Sequence, residues 1–216
     1  MASQVDICNA ALVKLAQDIP IAAMSETSKA ARAFNRCWDS VRDQVLAEHP
    51  WPWSVKAVAL ALDTEDPTPG WEYRYTYPDD CLTALGVCSE AGVRAGISRL
   101  TRRDEWAMQV DGRVSFDVVY GEQSTGIVAD QEDAYLIYAS RVTETPRYPP
   151  LFVDALACRL ALEVAPALAG ELGLRMGQKL REDYEISRSK AIAHGFNESR
   201  ELIDVTTPSR AARGGY

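Results

Sequence analysis

Tyr148-Pro149-Pro150-Leu151-Phe152-Val153-Asp154-Ala155-Leu156-Ala157-Cys158-Arg159-Leu160-Ala161-Leu162-Glu163-Val164-Ala165 is the stretch on which the fold turns. Tyr148-Pro149-Pro150 restarts a helical signal, and Leu151, Phe152, Ala155, Leu156, Cys158, Leu160, Leu162 and Ala165 follow so densely that the helix is buried on more than one side. It is the predicted core helix. Downstream, Gly170 to Gly173 turns the chain, and a last helix runs from about Leu174 to His194, charged all round except at Leu180, Tyr184, Ile186 and Ile192. Gly195 ends it as a C-cap glycine would. From Asn197 to Tyr216 no periodicity persists, which predicts an extended tail.

The N-terminal end of the chain supplies partners for this core helix. Ser3 with Asp6 reads as a capping box opening a first helix, with Val5, Cys8, Leu12 and Leu15 on one face. After Asp18-Ile19-Pro20, Ser25 or Thr27 caps a second helix, whose apolar positions Ala30, Phe34, Trp38, Val41 and Val45 run to the Glu48-His49-Pro50 stop. At about 23 residues this helix is roughly 35 Å long. Its other face carries Lys29, Arg32, Arg36, Asp39, Arg42 and Asp43, a surface for solvent or for a neighbouring subunit.

Between the helical ends the character changes. Trp51-Pro52-Trp53 cannot continue the helix, Asp63 to Gly70 is turn-rich, and Tyr73-Arg74-Tyr75-Thr76-Tyr77 alternates with the period of a strand. Leu85–Cys88, Ile97–Arg102, Trp106–Val110, Val114–Val119 and Ala134–Val142 are further strand candidates, with Asp111-Gly112 as a hairpin turn. The fold class predicted is α+β: a helical bundle built from the N- and C-terminal helices, an inserted small antiparallel β domain and an extended C-terminal tail. The parts are 1–62 (helical), 63–147 (β), 148–195 (helices completing the bundle) and 196–216 (tail).

Composition bounds the function. With 216 residues, 47% hydrophobic and 25% charged, the chain can bury an ordinary core. The longest uncharged apolar run, Ala57 to Leu62, falls far short of the roughly 20 residues of a membrane span, and residues 1–20 show no signal-peptide pattern, so folding in a cytoplasm is expected. Five scattered cysteines (Cys8, Cys37, Cys81, Cys88, Cys158) favour buried thiols over disulfides. Net charge is -8, and residues 61–140 hold the whole surplus, with 15 acidic and 6 basic side chains. Such a surface is unsuited to tight sequence-independent nucleic-acid binding, which needs a basic footprint.

No enzyme is indicated. The glycines near Gly86, Gly92 and Gly96 lack phosphate-loop spacing, and Ser115 and Ser124 lack a nucleophile elbow. His49 and His194 read as helix-end residues, Cys81 and Cys88 are too far apart for a zinc knuckle, and Glu65-Asp66, Asp79-Asp80 and Glu132-Asp133 read as solvated loop acids. No cofactor or metal is expected. Trp51, Trp53, Trp71, Tyr73, Tyr75 and Tyr77 suggest either packing at the helix–sheet junction or a platform for a small ligand or carbohydrate, which is the alternative function. Arg99, Arg102 and Arg103, followed by Asp104 and Glu105, suggest a subunit salt-bridge face.

Four stretches together resemble the tail tubular protein A, or head-to-tail adaptor, family of short-tailed bacteriophages. They are Ile7–Leu12; Ser28-Lys29-Ala30-Ala31-Arg32 through Asn35-Arg36 and Arg42-Asp43 to His49-Pro50-Trp51; Tyr73-Arg74-Tyr75 with Tyr77-Pro78-Asp79-Asp80-Cys81-Leu82; and Tyr138–Val142 leading to Pro149–Ala157 and Arg159–Ala161. The likeness spans roughly residues 4–190 in order, and between Glu90 and Asp133 it is confined to the Asp-Gly hairpin.

The resemblance implies a virion protein at the head–tail junction, assembled in the host cytoplasm. It would form a dodecameric ring between the portal protein and the tail tube or nozzle, with a tail-fibre protein as a further candidate neighbour and double-stranded DNA passing through the channel. No membrane is involved. Arg32, Arg36, Asp39, Arg42 and Asp43 are the expected subunit interface, and Leu202, Ile203, Val205, Pro208 and Tyr216 the expected portal-binding tail.

Overall fold

The computed structural model describes residues 2–96, 113–122 and 124–198. The chain is mixed α+β, with a long C-terminal helix and small antiparallel sheets. The expected portal-binding residues Leu202, Ile203, Val205, Pro208 and Tyr216 lie outside the described residues. So do the strand candidates 97–102 and 106–110, the Asp111-Gly112 turn and the Arg99, Arg102, Arg103 cluster.

Helix α1, Gln4–Lys14, begins at the predicted capping box: the Ser3 hydroxyl accepts the Asp6 N–H at 3.2 Å, and the Asp6 carboxylate accepts the Ser3 N–H at 2.8 Å. Helix α2, Lys29–Ala47, is capped by Ser28 rather than Ser25 or Thr27, and its 19 residues make it about 28 Å long. The later start has a local cause. Glu26 accepts the N–H groups of Ala22 and Ala23, and Asn35 donates to the Met24 carbonyl, so this backbone is already engaged in a turn.

Helix α4, Pro150–Glu198, is broken at Gly170, whose φ of 56° and ψ of -129° are non-helical. Arms 150–169 and 171–198 fold back on each other. Gly173 approaches so closely that a Cβ there would sit 2.1 Å from the Ala165 carbonyl oxygen. Only glycine fits there. Contrary to expectation, Gly195 does not end the second arm, and His194 therefore lies inside a helix. Gly195 is buried, with Pro52 only 3.3 Å from where a Cβ would be, so its lack of a side chain serves close packing. Ile7, Leu12, Phe34, Trp38, Trp51, Phe152, Leu156, Leu160 and Tyr184 join α1, α2 and both arms of α4 in one apolar core.

The remaining elements are β1 (Val55–Ala59), β2 (Tyr73–Thr76), β3 (Cys81–Cys88), the short α3 (Glu90–Gly96), β4 (Arg113–Val114), β5 (Phe116–Tyr120), β6 (Thr125–Ala129) and β7 (Tyr135–Ser140). One sheet runs β1-β7-β3-β4 and the other β2-β6-β5, with every described pair antiparallel. Tyr75, Val87, Ile127, Leu136 and Tyr138 form a core common to both sheets. The candidate strand 114–119 is interrupted at Ser115, where the chain passes from the first sheet to the second. Strand β1 falls within the 1–62 segment expected to be helical. It is a sheet strand because it pairs with β7, Val55 opposite Ala139 through Ala59 opposite Tyr135.

Candidate functional site

The two halves of the molecule meet at a charged junction built from α2, β7 and the turn before β3. Arg42, only 5% exposed, pairs with Asp39 and Asp43, each at 2.8 Å. Asp43 also takes Arg141 Nε at 2.8 Å, and Arg141 reaches back through its backbone N–H to the Asp80 carbonyl at 2.7 Å. The Asp80 carboxylate accepts Lys56 Nζ at 2.6 Å and the Tyr138 hydroxyl at 2.7 Å. Burial opposes ionisation of Asp80, yet these donors outweigh it and hold the carboxyl below its ordinary range. Asp43, expected on an outward interface, is therefore an intramolecular joint, and Arg42, expected there too, is nearly buried and held by two carboxylates of its own helix. Arg32, Arg36 and Asp39 remain exposed.

The aromatic set does not assemble into one platform. Trp51 is 1% exposed, donates its indole N–H to the Val45 carbonyl at 3.0 Å and meets Phe152 edge-on at 5.0 Å. Trp53 packs on Phe152 and Tyr148 at 4.8 and 5.5 Å. Tyr73 and Tyr75 stack 6.2 Å apart in the other core, where the Tyr75 hydroxyl donates to the Gln131 carbonyl.

Arg74, read only as a strand residue, is a buried ionic hub. It pairs with Asp63 at 3.0 Å and Glu65 at 2.9 Å, and donates to the Ser124 carbonyl at 3.1 Å. Glu65 is thus a structural partner and not a freely solvated acid. The Arg74 guanidinium, chiefly, lowers the Asp63 pKa. Gly121 and Gly126 make room for this hub, since a Cβ would lie 2.1 Å from Glu65 Oε2 at Gly121 and 2.8 Å from Arg74 Nε at Gly126. The signal in the sequence was an arginine placed inside a tyrosine alternation.

A third polar cluster ties α1 to both arms of α4. Lys14 Nζ donates to Asp154 at 2.7 Å, Ser187 donates to the other Asp154 oxygen at 2.6 Å, and Cys158 Sγ lies 3.6 Å from Ser187 Oγ. The described cysteines are free thiols; burial pushes Cys8 up to about 12 and Cys37 up to about 11, which keeps both protonated. Among the described residues no group of three or more His, Cys, Asp or Glu side chains is placed to hold a metal ion, and no helix is long and apolar enough to cross a membrane.

Along the outer side of α4 run two adjoining grooves that share Glu163. Lys29, Arg32 and Arg36 border one, and Gly177 and Arg181 border the other. Arg32 and Arg36, two of the exposed members of the expected subunit interface, lie on this surface. The chain matches no protein-family model and no curated protein.

Proposed function

We propose that this protein is a head-to-tail adaptor of a short-tailed phage virion. In that role a helical bundle made from both chain ends carries an inserted β domain. Dodecameric copies form a ring between the portal protein and the tail tube or nozzle, leaving a channel for double-stranded DNA, with a tail-fibre protein as a further neighbour. Assembly takes place in the host cytoplasm, and the ring resides at the head–tail junction.

One observation carries the proposal. Three of the four stretches that resemble the adaptor family converge on the joint between helices and sheets: Arg42-Asp43 from α2, Asp79-Asp80 from the turn, Tyr138 and Arg141 from β7 and its end, and Trp51 against Phe152. Three separate sequence likenesses thus describe one architectural device, and architecture is what a ring-forming structural protein must keep. The exposed polar ridge of α2 suits a cyclic, heterologous contact, in which two different surfaces of one chain meet around the ring.

The deciding experiment mixes the purified protein with its portal ring and images the product by electron microscopy. A dodecameric layer added to the portal is the expected result; an intact portal with no added layer, in the presence of folded protein, overturns the proposal. Deletion of residues 197–216 tests the portal-binding role of Leu202, Ile203, Val205, Pro208 and Tyr216: the truncated chain is expected to fold and to lose attachment.

A further inference from the structure

The grooves along α4 and the charge distribution of the β part supply two complementary surfaces on one chain. Lys29, Arg32 and Arg36 occupy positions i, i+3 and i+7 of α2, so they line one face over about 10 Å. Arg181 borders the adjoining groove from the second arm of α4, where the other ionised groups are Arg159 and Glu163, paired with each other, and Glu185, paired with Arg188. None of these four exposed cations pairs with a carboxylate among the described residues. In the groove that Arg181 borders, Gly177 leaves open space where any other residue would place a side chain, so a backbone can come close. The ion pair Arg159–Glu163 neutralises the shared floor.

The opposite charge sits on the turn joining β6 to β7. Asp130, Glu132 and Asp133 are exposed there, and Asp130 accepts the backbone N–H of Glu72 at 2.9 Å, which brings a fourth carboxylate alongside. Glu132 first, then burial, Glu72 and Asp133 hold the Tyr73 phenol above its ordinary range. The turn is narrow, spanning only five residues between β6 and β7, and Asp133 adopts a left-handed φ of 52°.

We infer that the grooves flanking Glu163 receive the Asp130–Asp133 turn of a second copy of this chain. Lys29, Arg32, Arg36 and Arg181 meet its carboxylates, and the turn backbone approaches over Gly177. The contact joins two different surfaces, so it repeats head to tail as a ring requires. It rests on the adaptor reading and names the residues through which neighbouring subunits engage. A short acidic turn suits the site better than duplex DNA, whose charges repeat every ~1.7 Å along a surface far longer than these few cations cover.

The test is sedimentation velocity of the full chain at low and high salt, with two charge-reversed variants. R32E/R36E alters the groove, and E72K/E132K alters the turn; all four positions are exposed, and circular dichroism verifies folding. Wild-type protein is expected to self-associate at low salt and to dissociate as salt rises. Each variant alone should associate at least about tenfold more weakly, and an equimolar mixture of the two should recover association, because either pairing then brings opposite charges together. The inference is overturned by a wild-type chain that stays monomeric at low salt, by folded variants that associate like wild type, or by a mixture that fails to recover. It is also overturned if R32E/R36E loses binding to a short DNA duplex while self-association is unchanged. Electron microscopy of the portal mixture separates the two claims: a layer that still forms with each variant on its own removes this contact and leaves the adaptor role standing.

Discussion

Arg141, at the end of β7, places its Nε 2.8 Å from Asp43 of α2, across the boundary between sheet and helices. Asp43 simultaneously holds the nearly buried Arg42. One carboxylate thus serves two guanidinium groups from different layers, so its removal frees Arg141 and leaves the nearly buried Arg42 with the exposed Asp39. Asp43→Ala is expected to lower unfolding stability by about 2 to 4 kcal/mol, whereas Arg141→Ala, at a side chain 40% exposed, should cost about 1 kcal/mol or less. Urea unfolding of the two variants checks the order.

The glycines divide by what surrounds them. Gly121→Ala drives a methyl group into Glu65 and Arg74, and a loss of about 1 to 3 kcal/mol is expected. Gly177→Ala meets nothing within 4 Å on a helical backbone, so it should gain about 0.5 to 1 kcal/mol. Opposite shifts in melting temperature are the expected observation; matching shifts would contradict the close approach at Gly121.

Acid should weaken the fold in a defined window. Asp63 is lowered chiefly by Arg74, while Asp80 and Asp154 are lowered because Lys56 and Lys14 with neighbouring hydroxyls outweigh the burial that opposes their ionisation. Their stabilisation is fully present above the ordinary aspartate value of about 4 and is lost as pH falls through the lower folded values. Stability measured between neutral pH and about pH 2 should therefore fall most steeply below about 4, and Asp63→Asn should flatten that fall.

Alkali acts through Cys8, which burial holds protonated up to about 12 against an ordinary 9.0. A raised folded pKa contributes stability that is complete below the unfolded value and lost as pH climbs towards the folded one, so weakening is expected above about pH 9. Iodoacetamide labelling read by mass spectrometry should spare Cys8 in native protein and modify it after unfolding.

Tyr184 joins the second arm of α4 to the end of α2 by donating to Glu48 at 2.5 Å. The donor is nearly buried, so Tyr184→Phe is expected to cost about 1 to 2 kcal/mol, read as a lower urea midpoint with an unchanged slope.

Local interactions were legible in the sequence. The Ser3–Asp6 capping box, the apolar face of α2, the dense core helix from Pro150 and the turn at Gly170 all depend on residues within a few positions of one another, and the sequence by itself determined them. It also determined the α+β class, because helical and strand periodicities occupy separate stretches. The rest came from long-range packing. Val55–Ala59 is a strand because β7, some eighty residues away, lies beside it; Asp43 turns from surface to joint because Arg141 arrives from the end of β7; and Arg74 is buried because Asp63, Glu65 and Ser124 converge on it. The physical reason is common to all three. A charged or apolar side chain takes its role from what long-range packing brings against it, and spacing along the chain does not encode the partner.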